Sequence, residues 1–204
     1  MFANLEHFEA VQLCFSSAAR TAVVVTYLQK EEASAYCESD IAKELGISLE
    51  ALRYHLRRLE TGLLSPLTNS HRRQCHRINI KHVKILYDSL QQLAQHFGLP
   101  AQNEPSGQIP TGDLVNGGVC FFFSSESRLR TALALLDTSI HGKTDWQRAE
   151  QYGLPKKLFS KQKTTLQDFG LIVVTSRFHY CVSDSLVADW CALVDLLKSH
   201  IAGD

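Results

Sequence analysis

What this chain lacks narrows what it does. It carries no net charge, with 21 Lys and Arg against 21 Asp and Glu, so a uniformly basic nucleic-acid-binding surface is excluded. No apolar run approaches the roughly 20 residues that cross a bilayer, and Glu6, His7 and Glu9 replace the basic-then-apolar start of a secretion signal. The expected setting is the cytoplasm, away from membrane. The six cysteines (Cys14, Cys37, Cys75, Cys120, Cys181 and Cys191) include no CxxC pair, which in that setting predicts reduced thiols. There is no Gly-rich phosphate loop after a strand, no HExxH and no GxSxG, and the acids are dispersed. Nothing predicts an enzyme, a cofactor or a bound metal.

What is present is a patterned distribution of charge. Up to Glu50 the basic residues are Arg20, Lys30 and Lys43, outnumbered by acids; from Ala51 to Tyr87 Glu60 is the one acid among Arg53, Arg57, Arg58, Arg72, Arg73, Arg77, Lys81 and Lys84. The field at one surface, rather than the total, governs attraction to DNA. The basic stretch opens inside SDIAKELGISLEALRYHLRRLETGLL, Ser39 to Leu64. Ile41, Ala42 and Leu45 share one helical face, and Gly46 breaks that helix. Ser48 is an N-cap for a second helix carrying Leu52, Leu56 and Leu59 inward and Glu50, Arg53, Tyr54, Arg57 and Arg58 outward. Ala42, Gly46 and Leu52 have helix-turn-helix spacing: a small residue for close crossing, a turn with φ > 0, an apolar plug.

Around this motif, Leu5–Leu13 reads as a short amphipathic helix and Phe15–Lys30 as a second, with Ser34–Glu38 a loop. GLLSPL and HRRQCHRINI are β-prone segments flanking the turn-rich TNS, the pattern of a basic hairpin. From His82 to Phe97 a helix places Val83, Leu86, Leu90, Leu93 and Phe97 on one side. Residues 98–118 hold three prolines and five glycines and read as a linker. The organisation expected is therefore residues 1–97, a linker at 98–118, and residues 119–204.

The second half repeats the first. FSSAAR at Phe15 returns as FSSESR at Phe123, and ETGLL at Glu60 as DFGLI at Asp168. Ala42, Gly46 and Leu52 correspond to Ala149, Gly153 and Phe159, so an internal duplication sets the topology. The second copy has its own basic helix, with Pro155 expected at its first position and Lys156, Lys157, Lys161 and Lys163 along it. A shorter hairpin (LIVVTSRFHYCVS) and a helix at Ser185–His200 complete it.

The segments FSSAARTAVVVTYLQ, DIAKELGISLEALRYHLRRLETGLL and HRRQCHRINI resemble the ArsR-type, and more loosely the MarR-type, winged-helix regulators of bacteria. The resemblance covers about residues 5–97, and 119–200 more weakly. It implies a mainly α, α+β winged-helix fold, here two tandem winged helix-turn-helix domains with small β-hairpin wings. It also implies a regulator of transcription, by default a repressor, that binds double-stranded DNA. ArsR arsenic sensors carry paired cysteines before the equivalent of Asp40; here Ser39 stands where the second thiol would sit. ArsR-type proteins hold one winged helix per chain and dimerise through terminal helices. Here a homodimer through those helices is expected, or a pseudo-dimer within the chain.

The residues expected at DNA are Arg53, Tyr54, Arg57 and Arg58 on the helix and Arg72, Arg73 and Arg77 in the first wing, followed by Lys156, Lys157 and Lys161 in the second copy. Cys37, at the entry of the helix-turn-helix, is a candidate redox site, with acidic Glu38 beside it arguing for an inert thiol. His71, Cys75 and His76 in one hairpin, and His179 with Cys181 in the other, sit in basic surroundings that repel a cation. Two rivals stand beside the regulator: a tandem winged-helix interaction module of the kleisin-binding ScpB type, and a replication initiator of plasmid or phage type.

Overall fold

Serine starts several helices in this chain, and the repeated FSS-x-x-R shows how. In the computed structural model, which describes residues 11–30, 35–68, 73–99 and 123–201, Ser17 caps helix α1 (Ala18–Leu28) by accepting from the Arg20 amide. The Arg20 side chain turns back to donate to Ser16 Oγ at 2.7 Å and to the Leu13 carbonyl at 3.0 Å. Phe15 closes a preceding helical stretch at residues 11–15, so the single helix expected over Phe15–Lys30 starts later, at Ala18. The bend falls at Ser16–Ser17 because the hydroxyl satisfies the backbone there. Most of the helix expected at Leu5–Leu13 lies outside the described residues.

The first half continues as strand β1 (Tyr36–Cys37), helices α2 (Glu38–Leu45) and α3 (Leu49–Leu59), strands β2 (Leu64–Thr68) and β3 (Gln74–Ile78), and helix α4 (Ile80–His96). Gly46 ends α2 at φ 63°, the left-handed conformation that costs glycine least. Ser48 Oγ accepts from the Ala51 amide at 3.1 Å and starts α3. Leu52, Leu56 and Leu59 are at most 1% exposed, each contributing about 1.5–3 kcal/mol by burial. Leu64 faces Ile78 and Thr68 faces Gln74 across the hairpin. The segment Ser34–Glu38, expected to be a loop, instead supplies β1 against β3, with Tyr36 opposite His76 and Cys37 opposite Cys75, while Glu38 already opens α2. Two residues carry no periodicity to read; their strand exists because β3 is there to pair with.

The second half runs α5 (Glu126–Leu136), a 3-10 turn (Thr138–Ile140), α6 (Asp145–Gln151), α7 (Lys156–Asp168), β4 (Ile172–Ser176), β5 (His179–Val182) and α8 (Asp184–Ile201). Ser125 caps α5 and Arg128 reaches back to Ser124, as in the first copy. Thr144 and Gln147 form a reciprocal capping box on α6. Gly153 repeats the φ of Gly46 at 63°, and Ala149 and Phe159 are buried as Ala42 and Leu52 are. Pro155 stands at the N-cap of α7 rather than at its first helical position. The fold is thus mainly helical with two small antiparallel sheets.

The two halves share one continuous cluster of buried side chains. α4 packs along α8, and Phe97 meets Trp190 edge-on at 5.6 Å between ring centroids. Val83, Leu86, Leu90 and Leu93 of α4 and Phe97 at its C-cap are all buried within one chain. Phe15 and Phe123, equivalent in the repeat, lie 6.4 Å apart. On the far side His200 of α8 donates to the Leu28 carbonyl that ends α1. Of the expected linker, Gly98 and Leu99 are described, and Leu99 packs against the shared core. Among the described residues no helix is long and apolar enough to cross a membrane.

Candidate nucleic-acid interface

Three leucines anchor α3, so its opposite face is committed to the surface. Arg53, Tyr54, Arg57 and Arg58 are all exposed, with Tyr54 at 57%. The Arg58 guanidinium lies over the Tyr54 ring at 5.4 Å, which orients both without burying the charge. Arg73 and Arg77 are exposed on the hairpin; Arg72 lies outside the described residues. Between α3, the start of α2 and β3 runs an open groove of about 910 Å³, lined by Arg53, Arg57, Arg73, Glu38 and Glu60 among others. Helix and hairpin thus bring Arg53, Arg57 and Arg73 to one concavity, while Tyr54, Arg58 and Arg77 lie outside its lining.

The groove's two acids are both engaged. Glu38, buried to 5% exposure, accepts from Arg53 Nε at 2.7 Å. Glu60 bonds His76 Nε2 at 2.7 Å, and Nδ1 of that nearly inaccessible histidine faces Glu38 at 4.0 Å. Sequence reasoning placed Arg53 at the surface and missed its anchor. Glu38 holds the guanidinium at its Nε edge and leaves the donors of the two Nη groups. On the inner side of α3, burial, then Arg20 and Arg58, hold the His55 pKa below its ordinary value.

The second copy is built differently at the same place. Lys156, Lys157 and Lys161 are exposed on α7, and Lys156 sits 5.1 Å over the ring of Trp146, itself half exposed. Lys163, at the position of Leu56, turns inward to Asp145 at 2.6 Å and the Tyr180 hydroxyl at 2.8 Å. Burial alone would lower its pKa; the bonds to Asp145 and Tyr180 outweigh that and raise it. Asp145 occupies the place of Glu38, and Tyr180 that of His76. Each half therefore sets an acid at the first position of one helix, Glu38 on α2 and Asp145 on α6, against a cation of the next helix. The acids correspond in the repeat but the cations do not: the position of Arg53 holds Ser160 in the second half, and that of Lys163 holds Leu56 in the first. Among the described residues no three His, Cys, Asp or Glu side chains gather as a metal-holding group.

No known protein family, curated protein or solved structure matches this chain.

Proposed function

We propose that the chain is a sequence-specific regulator of transcription that binds double-stranded DNA through two tandem winged helix-turn-helix domains and acts as a repressor by occupying promoter DNA. The observation that carries this reading is the convergence of α3 and the β2–β3 hairpin on one arginine-lined groove. In it α3 lies in the major groove with Arg53 and Tyr54 near base edges, and Arg72, Arg73 and Arg77 neutralise phosphates. The contact of Phe15 with its equivalent Phe123 and the packing of α4 on α8 support a pseudo-dimer inside one chain. Lys156, Lys157 and Lys161 then meet DNA at its phosphates.

Anisotropy titrations at several salt concentrations test it, after the chain's preferred site has been selected from random DNA. Arg53→Ala weakens the selected site by about 1–3 kcal/mol more than random DNA. Arg72→Ala with Arg73→Ala weakens both alike and reduces the log–log salt slope by about 0.9 for each phosphate no longer neutralised. If none of these substitutions changes DNA affinity, the protein does not read DNA through this face. The interaction-module reading then takes over; for it stand Phe169, Val173 and Val174, apolar and exposed on the second half.

A further inference from the structure

Cys37 and Cys75 are 38 positions apart in sequence, and nothing in their local context joins them. The fold does: β1 pairs with β3 so that the two residues stand directly opposite one another. Cross-strand partners have Cα atoms about 4.5–5.5 Å apart, inside the range a disulfide spans. The side chains point to the same face, and the Sγ atoms are 2.6 Å apart with no group between them. Both are thiols in this structure. We propose that Cys37 and Cys75 form a two-electron redox site, oxidised by hydroperoxides to a disulfide that staples the entry of α2 to the hairpin.

The two cysteines have different parts. Cys75 is 1% exposed and Cys37 more accessible, so Cys37 meets the oxidant. Its thiolate attacks one peroxide oxygen, the O–O bond breaks, the sulfur becomes a sulfenic acid, and the departing oxygen leaves as water after taking a proton. The Cys75 thiolate then attacks the Cys37 sulfur, the S–O bond breaks and a second water leaves. Two thiols and one hydrogen peroxide yield one disulfide and two waters. The sulfurs stand about 0.6 Å beyond the disulfide bond length, so bond formation takes a small closing movement. Oxidation therefore fixes the geometry described above instead of dismantling it. The covalent loop from Cys37 to Cys75 contains α2, α3 and β2 whole, so it constrains the entire helix-turn-helix in the unfolded chain. Other cysteines are placed differently: burial pushes the Cys14 thiol up to about 12 despite Arg20, and Cys181 is exposed on β5.

The test uses the full chain, reduced and then exposed to stoichiometric hydrogen peroxide, alkylated and digested with trypsin. The expected product joins the peptide of residues 31–43 to that of Gln74–Arg77, and dithiothreitol separates them. The oxidised protein melts about 5 °C or more above the reduced one, and Cys37→Ser abolishes that rise. A map in which Cys37 and Cys75 stay alkylated singly, or in which Cys37 is overoxidised or paired with another cysteine, overturns the proposal. The map is read on the wild-type chain and does not depend on whether the protein binds DNA.

Discussion

Arg148 is fully buried, at the position where the first half has Ile41. Its guanidinium donates to the carbonyls of Ala134 at 2.7 Å, Leu135 at 3.1 Å, Phe178 at 2.9 Å and Lys143 at 3.2 Å, and lies 5.7 Å from the Tyr180 ring centroid. The first two carbonyls end α5, where a helix leaves its last acceptors without intrahelical donors. The third belongs to Phe178, a non-glycine residue at φ 62° in the turn of the second hairpin. One side chain thus closes a helix, the segment before α6 and a strained turn. Arg148→Met keeps most of the length and removes every donor. Each carbonyl left buried and unpaired costs about 1–3 kcal/mol. Methionine's gain in apolar burial and the guanidinium's lost desolvation penalty offset part of that, leaving a net loss of about 3–5 kcal/mol. That exceeds the ordinary range for single substitutions and is a large share of the roughly 5–15 kcal/mol that holds a domain folded. Urea unfolding followed by tryptophan fluorescence measures it, since Trp190 is buried and Trp146 half exposed. The midpoint falls by roughly 1–2 M at an m-value of about 2–3 kcal/mol/M. Arg148→Lys, whose ammonium cannot span three directions, recovers less than half. A midpoint for Arg148→Met within about 0.4 M of wild type, equivalent to about 1 kcal/mol, would refute the carbonyl-closing role.

Two further predictions concern the glycine turns and α3. An added Cβ at Gly46 or Gly153 meets nothing within 4 Å, so Gly46→Ala and Gly153→Ala each lose about 1–2 kcal/mol from backbone strain alone. Equal losses by urea unfolding are expected, and a loss at one site alone would break the equivalence of the turns. For His55, the folded pKa lies below the unfolded value of about 6.5. The unfolded chain therefore binds the proton first, and stability falls as pH drops below about 6.5 towards the folded pKa. His55→Gln should flatten that decline in thermal melts between about pH 7.5 and 5.5; a parallel profile would count against it.

The sequence disclosed most about elements whose information is local. Ser48, Gly46 and the leucine spacing of α3 are each readable within one helical turn, and the duplicated FSS-x-x-R marked α1 and α5. Where the determinant was distant, reading failed. Tyr36–Cys37 is a strand because of β3, and the nearness of Cys37 to Cys75 depends on a register no sequence pattern states. The stripe on α4 showed that a cover was needed but not which helix supplies it, so the packing on α8 could not be told in advance from pairing with another copy. At the candidate site, the outward arginines followed from amphipathicity alone. Their acidic partner Glu38 did not, because a carboxylate at a helix start reads as an N-terminal charge preference until the facing helix is in place.

The seam between α4 and α8 joins parts of one polypeptide, and dilution cannot separate them. A homodimer loses stability as its protomers grow scarce; here the connecting chain sets the concentration each half experiences from the other. Mutation, too, acts differently on such a pair. In a homodimer every substitution appears twice, once per face, whereas here Glu38 and His76 stand in one half while Asp145 and Tyr180 occupy the same places in the other. The two faces are released from identity, although the halves still fold by one plan.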